Sequence, residues 1–407
     1  MIIKRITCLT LNFTIFLERF LSPISRQMKK NDILALKSID STTFRTHMKT
    51  NLRLIAFAVM TIFATTATFA QKASDFKSSK EIIDKAIEYH DDGKYEKAIA
   101  LYDLINRNDS LYITALSEKS LSLLANENYE EAAAVARLAI ASTDELYPEL
   151  FVNLGNALDE LELREESVAA YDQGIKLFPK NVQLIFNQGV TYYNMKKYPE
   201  AVQRFKDVLE INPSHPGTHL MLASLAAGEG KTVQSLLSLC TFLILEPSTN
   251  RSQVALDLLV SVATDPASKL DKHDIKLSDG DDFSEVELLL SNKVSANKKY
   301  KVPGDLGNYD FMKQIHLMMN KVEYDENDKG FWMQFYVPYF KMLLENGKFE
   351  DFSYYILLSA DNETVKKVLN KHVSDLKSFD AWWPDTYYNQ HKMHDYVLNG
   401  KKTKVTF

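Results

Sequence analysis

Cysteine is nearly absent from this 407-residue chain, which has only Cys8 and Cys240. With the leader discussed below set aside a single thiol remains, so no internal disulfide can staple the mature part. Cys240 lies in the apolar run LLSLCTFLIL, where a buried, inert thiol is expected rather than a nucleophile. Glycine-rich phosphate loops, a G-x-S-x-G elbow and an H-E-x-x-H pair are missing as well. Phosphoryl transfer, serine-type nucleophilic catalysis and zinc proteolysis therefore lack support, and the chain reads as non-catalytic with no cofactor implied. His391, His394, Asp395 and His372 are the only cluster with metal-like chemistry. Their H-x-x-H spacing aligns two imidazoles on one helical face less well than i, i+4 would, and no firm third ligand follows, so surface histidines and no metal are expected. The acidic stretch Asp265 to Asp282 lacks the alternating Asp spacing and closing Glu of a calcium loop and reads as a solvated linker over 264–282.

Long apolar runs are scarce too. One uncharged stretch, Leu54 to Gln71, follows the cations Lys49 and Arg53 and ends in small residues around Thr68 and Ala70. That order is a secretory signal peptide over 48–70, with an uncleaved anchor as the alternative at the lower limit of bilayer-spanning length. Its threonines favour cleavage, so export to a periplasmic or secreted location is expected with no stable membrane anchor. Translation then starts at Met48, and residues 1–47 are a non-native extension. Of the 48 basic and 54 acidic residues, 10 and 3 lie in residues 1–70, leaving 38 and 51 and a net charge of −13 in the mature part. No clustered cationic surface for nucleic acid or anionic lipid is expected.

A periodicity organises the middle of the chain. The small residues Ala98, Ala132, Ser167, Ala201 and Ser235 follow one another at a nearly constant spacing. Aromatic residues precede several of them, in GKYEKA, ENYEEA and KKYPEA. Four positions later stand Tyr102, Ala136, Tyr171, Phe205 and Leu239, and prolines 179, 213 and 247 share one phase. A period of about 34 residues implies stacked helix pairs, each pair too small to bury its own apolar face alone. The small residue lets paired helices approach, and proline punctuates the links between pairs.

These features resemble the tetratricopeptide repeat family. The best unit has Phe151, Leu154, Gly155, Leu158, Ser167, Tyr171, Gly174 and Pro179 at the signature positions, and the next has Ile185, Gly189, Tyr192, Ala201, Phe205 and Pro213. The units around Ala86 and Ser120 lack the closing proline, and the fifth carries His219 and Phe242 at atypical positions. The resemblance implies an all-α, right-handed helical-hairpin solenoid of about five repeats over 80–263, whose first helices line a concave groove for a protein or peptide partner. By phase it assigns to that groove Asp84 with Ile87, Glu118 with Leu121, Asn153 with Asn156, and Phe186, Asn187, Val190 and Tyr193. Local backbone bonding of the asparagines, and packing of Phe186 and Tyr193, are the alternatives. Apart from Lys80, the cations with which relatives clamp a carboxylate are missing there, so a basic or neutral segment suits the groove better than an acidic C-terminus.

Residues 283–407 are expected to form a mostly helical C-terminal domain. FWMQFYVPYFKMLLENGKFEDFSYYILLSA repeats the helix-turn-helix grammar around Gly347, a degenerate sixth unit over 331–362 with bulky Phe352 where a small residue belongs. Glu363 to Leu376 reads as one amphipathic helix. Trp332, Trp382 and Trp383 all lie in this half, as core or as an aromatic surface for a small molecule or glycan. Asp380, Asp385 and Asp395 would serve an enzyme, the least favoured reading. YVLNGKKTKVTF, with Asn399 and Gly400 between apolar residues, signals a short terminal β-hairpin.

Overall fold

A computed structural model describes residue 76 and residues 78–265, 280–293, 295, 297, 300–307, 309–393, 396–398 and 401–403. The extension at 1–47, the leader at 48–70, most of the linker at 264–282, His394 and Asp395 lie outside the described residues.

Five helical hairpins follow one another: α1 Ser79–Asp91 with α2 Tyr95–Tyr102, α3 Tyr112–Ala125 with α4 Tyr129–Ala141, α5 Pro148–Glu160 with α6 Arg164–Leu177, α7 Val182–Asn194 with α8 Tyr198–Ile211, and α9 Pro216–Gly228 with α10 Thr232–Leu245. Each hairpin closes on a left-handed residue, Gly93, Glu127, Glu162, Lys196 and Gly230, with φ between 59° and 71°. The amide that follows it reaches back across the turn, as Lys94 N to Tyr89 O at 2.8 Å and Leu163 N to Leu158 O at 2.9 Å. This is the Schellman ending of a helix, and it lets the second helix begin at once.

At the point where paired helices cross, both residues are small: Ala86 with Ala98, Ser120 with Ala132, Gly155 with Ser167, Gly189 with Ala201, Ala223 with Ser235. Wherever one of them is serine its hydroxyl donates to the partner helix's carbonyl, as Ser120 Oγ to Ala132 O (3.0 Å), Ser167 Oγ to Gly155 O (2.8 Å) and Ser235 Oγ to Ala223 O (3.1 Å). The buried hydroxyl is thereby satisfied without adding bulk. Prolines 179, 213 and 247 fall in short links between hairpins, and the first helices after them are capped by Asn181, His215 and Thr249, whose side chains accept from Leu184 N, Thr218 N and Ser252 N.

After α11 Asn250–Thr264 the described chain resumes at residue 280 and forms α12 Ser284–Ser291 and α13 Asp310–Lys321. The expected sixth unit follows as α14 Phe331–Phe335, α15 Val337–Glu345 and α16 Phe349–Tyr355. Its first helix is broken at Tyr336 because Pro338 cannot donate to the turn before it. Gly347, at φ 65°, supplies the same left-handed turn as the solenoid. Both crossing positions are phenylalanine here, and Phe340 and Phe352 meet edge to face at 6.3 Å.

The expected helix over 363–376 is interrupted. The chain instead forms α17 Glu363–Lys371 and α18 Val373–Met393, parted at His372, whose ring is held by Asp375, Asp305 and Tyr354. Short strands Tyr396–Leu398 and Lys401–Thr403 then pair antiparallel, with Val397 opposite Lys402.

Among the described residues one apolar core runs from Ala201 in α8 to Tyr387 in α18, so the helices after residue 283 pack on the last repeats. Trp332 is fully buried and donates its indole N–H to Ser238 Oγ at 2.8 Å. Lys206 carries its ammonium over Phe331 and Trp332, at 5.3 and 5.6 Å from their ring centres. His219 bridges Pro213 O (2.7 Å) and the Tyr336 hydroxyl (2.8 Å), while Tyr387 donates to the same Pro213 carbonyl. The atypical histidine of the fifth repeat is thus the docking point of the C-terminal helices. A second, smaller core runs from Leu116 in α3 through the second and third repeats to Leu184 at the start of the fourth.

Candidate functional site

Four consecutive repeats share one concavity of about 450 Å³. His90 enters it from the end of α1, Leu121, Leu124 and Ala125 from α3, Tyr129 from the start of α4, Asn156, Asp159 and Glu160 from α5, Tyr171 from α6, and Asn187, Val190 and Thr191 from α7. Successive first helices present equivalent positions here, so Leu121, Asn156 and Val190 recur at one phase along the row. Leu121 is 40% exposed, a large apolar side chain left to solvent in the middle of a polar rim.

A hydrogen-bonded network forms the floor. The Tyr171 hydroxyl donates to Asn156 Oδ1 at 2.6 Å, and Asn187 Nδ2 donates to the same oxygen at 2.9 Å. Burial pushes the Tyr171 phenol's pKa well up, so it remains a donor. Gly155 makes room for that ring, because a Cβ there would collide with Tyr171. At the rim Asn194 Nδ2 donates to Asp159 Oδ2 at 2.9 Å, and His90 Nδ1 bonds Ser122 Oγ at 2.9 Å.

Of the residues assigned to the groove from sequence, the structure brings Asn156, Asn187 and Val190 into this concavity, together with their companion Leu121. Asn153 is only 5% exposed and spends its amide on Ser117 O at 3.0 Å in the neighbouring repeat. It is a packing residue between α3 and α5, and the groove assignment is corrected for it. Phe186 packs against Phe205 and His215, at 5.7 and 4.7 Å between ring centres, and Tyr193 meets Tyr198 edge-on at 5.6 Å. These two rings therefore serve packing beside the concavity. Asp84 and Glu118 lie on α1 and α3 outside the lining, Asp84 exposed and Glu118 half-buried. Burial raises the Glu118 carboxyl's pKa, with His90 partly offsetting it.

Sequence reasoning misses His90, Tyr129, Asp159 and the hydroxyl of Tyr171. Asp159 follows Asn156 by three positions, hence shares its helical face, and that spacing could have found it. Tyr171 reads in the sequence only as a repeat signature, although its hydroxyl serves the floor.

The aromatic C-terminal half offers less. Trp332, Phe335, Tyr336, Phe340 and Phe352 are buried, and Trp382 and Trp383 are half-buried against the same core. Asp380 accepts from the Tyr355 hydroxyl at 2.9 Å, and Asp385 is exposed. Among the described residues no three His, Cys, Asp or Glu side chains gather as a metal site, and no helix is long and apolar enough to cross a membrane.

Residues 83–148 and 152–216 match the family model of the tetratricopeptide repeat. Among solved structures, YrrB, described as a TPR protein with an unusual peptide-binding site, is similar at 22% identity over 46% of this chain and 96% of its own, with a TM-score of 0.35. A thermophilic TPR protein of Thermus thermophilus is similar at 19% identity over 47% of this chain and 99% of its own, TM-score 0.38. MamA from MSR-1 is similar at 17% identity over 42% and 97%, TM-score 0.34. No curated protein sequence matches the chain.

Proposed function

The chain is a tetratricopeptide repeat protein, matched over residues 83–148 and 152–216, and from that premise we propose that its concave face holds a segment of another protein without reacting with it. The observation that carries the reading is the shared concavity: four repeats converge on one open site where exposed Leu121 and half-buried Val190 adjoin a network of amides and hydroxyls. Apolar anchors beside hydrogen-bonding groups are what a peptide segment needs, since its side chains and its main chain must both be satisfied. Several repeats contribute, so the surface exists only when the array is stacked.

A photo-crosslinker placed at Leu121 or at Val190 tests this in the intact protein. We expect a discrete adduct with one partner protein from either position and none from Leu138, which is 43% exposed on α4 outside the concavity. Adducts of equal yield from all three positions would count against the groove. The reading extends to export: the leader at 48–70 sends the protein to the periplasm or the medium, and N-terminal sequencing of the mature protein is expected to begin at Gln71. A start at Met48 or Met1 in the mature protein would remove that part.

A further inference from the structure

The floor of the concavity has a polarity. Asn156 Oδ1 accepts two hydrogen bonds, from the Tyr171 hydroxyl at 2.6 Å and from Asn187 Nδ2 at 2.9 Å. An amide whose oxygen is doubly engaged presents its other end, so the Asn156 NH₂ group keeps two donors and Asn187 Oδ1 keeps an acceptor. Neither group bonds another described residue. One donor and one acceptor, one repeat apart, match the carbonyl and N–H of a main chain, and these are unpaired along a peptide only when it is extended.

Charge sets the second requirement. The lining includes the carboxylates of Asp159 and Glu160 and, among the described residues, no lysine or arginine. Arg164 Nε, 3.7 Å from Asp159 Oδ1, already sets one opposite charge behind Asp159, whereas Glu160 faces the concavity with no such neighbour among the described residues. A neutral or anionic occupant would strip water from Glu160 without repayment, whereas a cation offsets that desolvation.

Resting on the groove reading above, we propose that the occupant is an extended segment bearing lysine or arginine, its main chain held by Asn156 and Asn187 and its cations set against Asp159 and Glu160. Apolar residues between the basic ones lie on Leu121 and Val190. Acidic and neutral segments of the same length bind more weakly.

Fluorescein-labelled short peptides of alternating lysine and valine, glutamine and valine, and glutamate and valine, equal in length and titrated against the full chain, test the inference. The lysine peptide is expected to bind at least about tenfold more tightly than the glutamine peptide, with affinity falling as salt rises. Replacing the lysine peptide's central amides by N-methyl amides, or making Asn156→Ala with Asn187→Ala, is expected to weaken it by about tenfold. Glu160→Gln, at an exposed position, is expected to erase most of the preference for lysine while leaving the helical melting curve in place. Equal binding of the three peptides, or undiminished binding of the N-methylated one, overturns the inference and leaves the groove standing. Absence of binding by every peptide also overturns it, and the crosslinks at Leu121 and Val190 then decide whether the groove reading falls too.

Discussion

Gly155 illustrates how one missing side chain serves both fold and site. A Cβ at this position would meet the Tyr171 ring directly, and at the equivalent position of the next repeat a Cβ on Gly189 would lie 2.8 Å from Phe205. In these two repeats an aromatic ring occupies the space a side chain would take. Gly155→Ala is expected to lower stability by about 1–3 kcal/mol through overpacking. It is also expected to tilt the Tyr171 hydroxyl away from Asn156, and urea unfolding followed by helical circular dichroism measures the first effect. The crossing pairs were legible in the sequence because they recur at one phase. The fate of Asn153 was not, because a buried amide bonded to Ser117 O and an exposed one awaiting a ligand look alike in a repeat alignment.

Among elements, the sixth hairpin shows how far the repeat grammar can stretch. It keeps the left-handed Gly347 turn and the return bond from Lys348 N to Leu343 O at 2.9 Å, yet fills both crossing positions with Phe340 and Phe352. Both rings are buried there, and the departure from a small residue was readable from Phe352 alone. What could not be read was the break between α17 and α18 at His372. Its imidazole stacks on Tyr354 at 4.1 Å and bonds Asp375 at 2.7 Å and Asp305 at 3.3 Å, tying α18, α16 and the segment before α13 together. Such a clasp needs partners as remote in sequence as Asp305 and Tyr354, which no local pattern encodes. The hydrogen bond to Asp375, aided by Asp305, raises the imidazole's pKa above its ordinary 6.5. A histidine whose folded value is raised contributes stability that is fully present below its unfolded value and is lost as pH rises through the folded one. His372→Gln is therefore expected to lower the melting temperature at pH 6 and to change it little at pH 9.

Across the whole molecule the burial is uneven. The core shared by the last repeats and the C-terminal helices extends from Ala201 to Tyr387, whereas that of the second and third repeats spans only Leu116 to Leu184. In a quasi-linear array each unit leans on its neighbours, so the end with less buried surface opens first. All three tryptophans lie at the other end. Denaturant is accordingly expected to reduce circular dichroism before tryptophan fluorescence responds, and coincident transitions from the two probes would contradict the division into two cores. The solenoid was visible from sequence because its periodicity is written five times over. The docking of the C-terminal half was not, since aromatic residues at helical spacing do not say which surface they meet; His219, out of pattern in the fifth repeat, was the one trace of it.

The interval between Ala132 and Ser167 is longer by one position than the other intervals of the series, and the extra length has a location in space. Helices α4 and α5 are joined by the segment 142–147, whereas the links before α7, α9 and α11 are the shorter segments 178–181, 212–215 and 246–249. Length has thus already been added at this joint without disturbing the phase of the helices on either side. For anyone who wishes to graft a fluorescent tag, an affinity handle or a protease site into the array, this joint is where the molecule accepts a guest and keeps its count.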